Sequence, residues 1–389
     1  MKPSMLKATL LALSLVTVMS GAAVAPAIAQ ISAAFPAASQ TAIKLVLTLP
    51  AVFIIAFSLI SGRLSSKMRK RSILSTGLFL YLVGGIGGGF AQRFEELLLA
   101  RAVLGIGVGL IMPLSTGLIA DFFDGDERVR LIGYSTAAQN LGGIIATITS
   151  GMLAVMSWRY SFGVYGFGLI VWALVLGYLP EPAAPNRTSP HGVKLPRPVY
   201  AWAVGAFVLM IAFYAIPVNM AIFVQGNHFG DASMSGIAIS IVTAFGFLAG
   251  LCYGRIKTLL KSFLPAILIG LMTVGYTVLS QAQSLLQVFI ATGVIGLGFG
   301  WAMPTLITGA TQAGGKGEGI QVMAIVSSMI FLGQFLSPIV LDSISGLLGH
   351  SDVRFTFTII AFAFGGLLLV TLTHLGLSYR TRARTSHKM

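Results

Sequence analysis

The sequence has 389 residues, of which 56% are hydrophobic and 9% are charged, and its mean hydropathy is +0.90. Water-soluble domains carry about 25% charged residues, so the composition excludes a soluble chain and indicates a protein that crosses a membrane several times. The formal net charge is +14, but the basic residues are dispersed between apolar runs, which argues against nucleic-acid binding. The single cysteine, Cys252, excludes a disulfide framework and a cysteine-built metal site.

Twelve apolar runs are long enough to be membrane helices, because crossing about 30 Å of hydrocarbon takes roughly 20 apolar residues. In chain order, predicted helices 1 to 12 cover residues 6–29, 41–61, 73–91, 96–119, 131–154, 161–179, 199–224, 233–254, 264–281, 285–311, 320–342 and 355–377. The fold class is therefore an all-helical polytopic membrane protein.

The first run also has the features of a secretory signal peptide. Lys2 and Lys7 precede or open it, and the small-residue sequence Ala27, Ile28, Ala29 at its end imitates a cleavage site. Cleavage would leave eleven helices and an incomplete repeat, so we interpret the run as helix 1.

Basic residues predict the orientation of the chain. With the N-terminus in the cytoplasm, all but five of the 25 lysines and arginines fall on the cytoplasmic side; the five are Lys44, Arg93, Arg101, Arg159 and Arg354. The positive-inside rule then places both termini in the cytoplasm. We expect a multi-pass protein of the cell membrane, of the bacterial inner-membrane type.

Five positions of helix 4 recur in helix 10 at an offset of 191 residues. They are Gly105, Gly107, Gly109, Met112 and Pro113, and their counterparts Gly296, Gly298, Gly300, Met303 and Pro304. Residues four apart share one helix face, and glycines on such a face let a neighbouring backbone approach closely. We therefore predict helix-packing surfaces at Gly105, Gly109 and Pro113 and at Gly296, Gly300 and Pro304.

The repeat extends beyond these two helices. An offset of 192 aligns Gly62 with Gly254, and an offset of 191 aligns Gly142 with Gly333. We predict an N-terminal six-helix bundle over 1–180, a cytoplasmic linker over 181–198, a C-terminal six-helix bundle over 199–379 and a basic cytoplasmic tail over 380–389. Parallel repeats of this kind are related by an axis along the membrane normal, which places a cavity between the bundles.

The loop after helix 2 carries a recognisable motif. Residues 62–71 resemble the signature G-x-x-x-D-(R/K)-x-G-(R/K)-(R/K) of the major facilitator superfamily, and they match it at Gly62, Lys67, Lys70 and Arg71. The resemblance covers nearly the whole chain, and within the superfamily the chain is similar to drug/proton antiporters. It implies a secondary transporter that works by alternating access.

In that superfamily the loop is thought to latch the cytoplasmic ends of the two halves. Ser66 stands where the family has aspartate, and a serine can cap a helix but carries no charge. We therefore expect Asp121, at the cytoplasmic end of helix 4, to supply the anion to Lys70 or Arg71. The alternative is that these basic residues only signal orientation.

Helix 4 also resembles a second family motif, associated with proton-coupled transport, through Arg101 and the glycines that follow it. An arginine in a membrane helix costs about 2.5 to 3.5 kcal/mol unless a carboxylate, a substrate or water offsets the cost, or the side chain reaches the interface. The candidate coupling acids are Glu95, Glu96 and Asp342, and Asp342, near the outer end of helix 11, is the one expected inside the membrane. Helix 5 resembles the glycine-rich antiporter motif only in part, at Gly133, Gly142 and Gly151.

The family fold implies a central cavity lined by helices 1, 4, 7 and 10, with contributions from helices 2, 5, 8 and 11. The polar and aromatic candidates for substrate binding are Gln139, Asn140, Tyr214, Asn219, Trp301 and Gln334. Taken singly, each is better explained as a polar group that packs helices together, and the pair Gln139 and Asn140 is the best candidate for substrate contact.

These observations favour proton-coupled efflux of small amphipathic molecules by a monomer in the lipid bilayer, with no cofactor and no metal. An importer or facilitator of a neutral metabolite is an alternative, supported by the scarcity of membrane acids. A non-transporting sensor or a membrane enzyme is disfavoured, because the five histidines are far apart in sequence and no nucleophile–base pair or phosphate-binding loop is present.

Overall fold

The computed structural model describes residues 3–65, 67–181, 195–315, 318–350 and 352–386. Over these residues the chain is helical and contains no strand. Helix 1 consists of Pro3–Ala22 and Ile28–Ala34 joined by the 3-10 turn Ala25–Ala27, and helix 6 of Trp158–Ser161 and Phe167–Tyr178 joined by Phe162–Gly166. The others are Gln40–Leu64, Lys70–Gly87, Phe94–Phe122, Gly125–Met156, Arg197–Gly226, Ala232–Leu260, Leu264–Ser280, Leu285–Gly314, Gly319–Leu347 and Val353–Ser386.

Eleven continuous stretches of the described chain are long and apolar enough to span a membrane. The longest, Ala232–Ser280, has 49 residues and contains both helix 8 and helix 9. The two helices are separated by the 3-10 turn Lys261–Phe263, where Lys261 has a φ of 45°. The predicted architecture of twelve membrane helices in two six-helix bundles is confirmed, and the protein is a multi-pass membrane protein.

Polar residues fix where several helices begin. The side chain of Ser39 accepts a hydrogen bond from the Ala42 N–H at the start of helix 2, Asp231 does the same for Met234 in helix 8, and Ser284 for Gln287 in helix 10. Such side chains satisfy backbone donors that the first helical turn leaves unpaired.

An even number of crossings places the two chain ends on one side of the bundle. We call that end the terminal face; it contains the junctions after Leu64, Phe122, Tyr178, Leu260 and Gly314. The opposite end, the distal face, contains the junctions after Ala34, Phe90, Met156, Gly226, Ser280 and Leu347.

The repeated glycines pack the same helices in each half. A Cβ added at Gly105 would lie 2.6 Å from the Pro50 carbonyl oxygen of helix 2, and one at Gly296 would lie 2.5 Å from the Val242 carbonyl oxygen of helix 8. On the other side of these helices, Gly107 lies against helix 3 and Gly298 against helix 9. Helix 4 therefore packs between helices 2 and 3, and helix 10 packs in the same way between helices 8 and 9.

Candidate functional site

A cavity of about 200 Å³ lies midway along the bundle, between the two halves. Helices 1, 2, 4, 5, 7 and 11 line it, through Thr17, Val18, Ser20, Gly21, Leu47, Pro50, Ala51, Ile54, Val108, Met112, Gln139, Tyr214, Phe331 and Gln334. None of these described lining residues is charged. The walls combine apolar surface with two amides and a few hydroxyl groups, an arrangement typical of sites for small organic molecules.

Three of the six residues predicted to bind substrate line this cavity: Gln139, Tyr214 and Gln334. The other three are engaged elsewhere. The Asn140 amide donates to the Thr136 carbonyl of its own helix, the buried Asn219 amide donates to Ala215, and the Trp301 indole donates to the Ala249 carbonyl of helix 8. Because these bonds direct them to their own or a neighbouring helix, the structure does not bring Asn140, Asn219 or Trp301 to the cavity.

The first of two seams between the halves joins helices 2 and 11 near the distal face. The Lys44 Nζ lies 2.6 Å from Asp342 Oδ1, and the Thr41 hydroxyl donates to Asp342 Oδ2 over 2.8 Å. The Lys44 side chain is 3% exposed and that of Asp342 is 17% exposed. An ion pair so far from water needs good geometry to offset its desolvation, and both carboxylate oxygens have partners here.

The second seam joins helices 5 and 8 at the same level. The hydroxyl oxygens of Thr147 and Ser240 are 2.6 Å apart. A Cβ added at Gly236 would lie 2.6 Å from the Thr147 carbonyl oxygen, and one at Gly151 would lie 2.8 Å from the Ala232 carbonyl oxygen. Backbone therefore meets backbone along this seam.

Toward the terminal face the second seam ends. At Gly142, nearer the terminal face, an added Cβ would meet Leu15 of helix 1 rather than a residue of helix 8. The two seams thus close the cavity on the distal side.

Arg101 is fully buried inside the N-terminal half. Its guanidinium donates to the Val46 carbonyl over 2.7 Å, the Ser20 carbonyl over 2.8 Å and the Tyr165 hydroxyl over 2.6 Å, and Tyr165 donates in turn to Ser20. Ser20 lies in the last turn of Pro3–Ala22, just before the break in helix 1. Backbone carbonyls near such a break need partners inside a membrane, so Arg101 holds helices 1, 2, 4 and 6 together.

The structure does not bring the predicted coupling acids to Arg101. The Glu96 carboxylate accepts from the backbone N–H groups of Gln92 and Arg93, and Glu95 is exposed at the start of helix 4. Asp342 pairs with Lys44 instead. All three partners of Arg101 are neutral, so its charge is stabilised by hydrogen bonds rather than by a carboxylate.

The loop after helix 2 is tied to its own half. The predicted contact of Lys70 with Asp121 is present, with Nζ 2.6 Å from Oδ2. The Glu181 carboxylate accepts from the backbone N–H groups of Lys70 and Arg71 at the start of helix 3, and Arg71 also donates to the Leu176 carbonyl. Lys67 is exposed and Gly62 has open space around it, and Ser66 lies outside the described residues.

Sequence reasoning missed Lys44, Thr41 and Glu181. From the sequence, Lys44 counts only among the five basic residues that do not fall on the cytoplasmic side, although a lysine three residues inside the predicted helix 2 signals a buried charge that needs a partner. Within the described ranges, no three His, Cys, Asp or Glu side chains are grouped as metal ligands would be.

A cavity between two related six-helix bundles, closed at one face by seams between them, is the architecture of an alternating-access membrane transporter. The family model of the Major Facilitator Superfamily matches residues 10–338. The chain belongs to this superfamily, whose members are membrane transporters rather than enzymes.

Curated relatives match part of the chain. The quinolone resistance protein NorA of Staphylococcus aureus is 32% identical over 123 residues, which are 31% of this chain and 32% of NorA. The multidrug transporter protein MdtP of Bacillus subtilis is 28% identical over 104 residues, 26% of this chain and 19% of MdtP. The chain thus spans about a third or less of the length of these relatives.

Solved structures match nearly the whole chain at low identity. A bacterial homolog of the human lysosomal transporter Spinster, inward-facing and unoccupied, gives a TM-score of 0.74 at 15% identity and covers 97% of this chain and 96% of that one. A mutant of the nucleoside transporter NupG gives 0.80 at 11% identity and covers 95% and 99%. These likenesses show the fold.

Proposed function

We propose that the protein exports small amphipathic molecules from the cytoplasm in exchange for protons. The observation that carries the proposal is the uncharged cavity, which is sealed from the distal face and combines amide, hydroxyl and apolar side chains. The partial similarity to NorA and MdtP, a quinolone resistance protein and a multidrug transporter, supports efflux over uptake.

The lining favours neutral or zwitterionic cargo over permanent cations. Gln139, Gln334 and Tyr214 offer hydrogen bonds, and Met112 and Phe331 offer adaptable apolar contact. A permanent cation would leave its charge unpaired in such walls, which is costly away from water.

The substrate site is tested with Gln139→Leu and Gln334→Leu in everted membrane vesicles. Each loses a hydrogen bond worth about 0.5 to 1.5 kcal/mol, so the KM for a neutral amphipathic dye should rise by roughly two- to twelvefold at 1.4 kcal/mol per decade. Asn140→Leu, a neighbouring amide that the structure directs away from the cavity, is the matched control. Equal effects of all three variants would contradict the assignment.

We place the exchanged proton on Asp342, which lies inside helix 11 and at the boundary of the two halves. Asp342→Asn should therefore remove the response of efflux to a pH gradient, while Glu95→Gln and Glu96→Gln should retain it. Gradient-driven efflux that survives in Asp342→Asn would refute this placement.

The orientation is tested by labelling. In a Cys252→Ser background, a cysteine introduced by Ser66→Cys should react with an impermeant reagent only from the cytoplasmic side, and one introduced by Gln283→Cys only from outside. Reaction of both from one side would contradict a cytoplasmic terminal face.

A facilitator or importer of a neutral metabolite is the second candidate, and the observation that favours it is that Asp342 is the one acid among the described residues of the two seams. A deletion strain tested against a panel of unrelated toxic compounds separates the two. Broad sensitisation supports efflux, whereas one nutrient defect without sensitisation supports uptake.

A further inference from the structure

Lys44 and Asp342 are oppositely charged residues that bridge the two halves, and both lie where water is scarce. Their side chains are separated by 298 residues of chain and meet at 2.6 Å. This ion pair can form only when the distal side is closed, because the two residues lie in different halves and separate when that side opens.

Other charged groups near this end of helix 11 have separate partners. On helix 12, the Arg354 guanidinium donates to the Asn227 side chain and the Ser280 carbonyl, and the Asp352 carboxylate accepts from the Arg354 N–H. The His350 ring lies against Phe355. Helix 10 carries no charged residue over Leu285–Gly314, and on helix 7 the nearest titratable group at the distal end is His228, just beyond Gly226. On helix 2, Lys44 is the charged group that contacts Asp342.

We propose that Lys44 and Asp342, with Thr41, form a lock on the distal side, and that neutralisation of Asp342 opens it. With Asp342 neutral, the closed state would hold the Lys44 ammonium buried without its counter-ion, which is strongly unfavourable. In the open state both groups are exposed to water, which solvates each of them without its partner. Protonation therefore shifts the balance from closed to open.

The lock rests on the proposed function in placing the exchanged proton on Asp342. Because protonation favours the open distal side, the return of the protonated protein to the closed state is the step that the inward proton gradient has to drive. The opening itself is a property of the substrate-free protein. It can therefore be measured without any transport assay, so a failure of the efflux proposal and a failure of the lock give different results.

The test is a spin-label distance measurement on the full chain in lipid nanodiscs, in a Cys252→Ser background. Ala37→Cys, between helices 1 and 2, and Leu347→Cys, at the end of helix 11, report on the distal side; both positions are exposed. Val129→Cys and Gln312→Cys report on the terminal side. Acidic buffer should lengthen the distal distance and shorten the terminal one.

Asp342→Asn should populate the long distal distance in neutral buffer, with the closed-to-open ratio lowered by at least about tenfold, equivalent to about 1.4 kcal/mol. The exchanged pair Lys44→Asp with Asp342→Lys should restore the short distance. Asp352→Asn, a distal carboxylate outside the seam, is the matched control and should behave as the parent protein does.

Two results would overturn the lock. One is an Asp342→Asn protein whose distal and terminal distances equal those of the parent. The other, which needs no substitution at the pair, is a parent protein whose distances do not change between neutral and acidic buffer.

Discussion

Helices 2 and 11 meet through a partly buried ion pair, whereas helices 5 and 8 meet through glycines and one pair of hydroxyl groups. The internal repeat makes these two seams equivalent. The offsets of 192 and 191 residues that align the halves pair Lys44 with Gly236 and Asp342 with Gly151. The positions that hold the two charges in one seam thus hold the two close backbone contacts in the other.

The difference separates two ways of joining the same halves. Backbone packing depends on shape, and no change of protonation alters it. An ion pair depends on two charges, and a single proton abolishes one of them. One seam can therefore act as a fixed contact surface while its counterpart responds to the chemical environment.

Filling the packed seam should have the largest effect. Gly236→Leu places a side chain where even a Cβ would lie 2.6 Å from the Thr147 carbonyl oxygen, and overpacking costs about 1 to 3 kcal/mol or more. The distal side should then fail to close, and transport should fall by roughly fivefold to a hundredfold at 1.4 kcal/mol per decade. The measurement is transport in vesicles, normalised to the amount of the protein in the membrane.

The control for that substitution is Gly254→Leu, in the same helix, where an added Cβ meets nothing within 4 Å. A Gly236→Leu protein that closes and transports normally would show that the seam between helices 5 and 8 is not a tight contact.

Making the charged seam apolar should have an effect of intermediate size, and it should favour the closed distal side rather than the open one. Lys44→Met combined with Asp342→Leu removes both charges, and such replacements are often neutral or stabilising by about 1 to 4 kcal/mol. The distal side should stay closed in neutral and acidic buffer alike, although each single substitution opens it. Spin-label distances measure this non-additivity, and a double variant that opens in acid would place the proton elsewhere.

The smallest effect is expected from the hydroxyl pair. Thr147→Val removes one hydrogen bond across the packed seam, a change of about 0.5 to 1.5 kcal/mol, so the closed-to-open ratio should fall only several-fold. Thr136→Val is the matched control, because that threonine bonds only a carbonyl of its own helix and is exposed. A larger shift than that of Asp342→Asn would reverse the ranking of the two seams.

The fold could be predicted because its signals are local: run lengths set the helices, and the glycine columns of helices 4 and 10 reveal the repeat. The contact of Lys70 with Asp121 followed from a missing charge in a short loop. Which of Gln139 and Asn140 faces the cavity could not be predicted, because neighbours on a helix point about 100° apart and the rotation of helix 5 is set by packing against helix 8.

The partners of Arg101 and Lys44 could not be predicted from the sequence, for a different reason. Arg101 is held by two backbone carbonyls and a tyrosine, and every residue has a carbonyl, so nothing in the sequence marks Ser20 or Val46. The partner of Lys44 lies 298 residues away, and one sequence cannot indicate which of the acids it meets.

The uncharged wall of the cavity has an electrical consequence. If a neutral molecule leaves for each proton that enters, the cycle carries one net positive charge inward and is electrogenic. A membrane potential of 100 mV, inside negative, then contributes about 2.3 kcal/mol per turnover, in addition to any pH difference. In proteoliposomes, a potassium diffusion potential set with valinomycin should drive export of a neutral dye at equal pH on both sides, whereas exchange of a monovalent cationic dye for one proton would be electroneutral and indifferent to that potential.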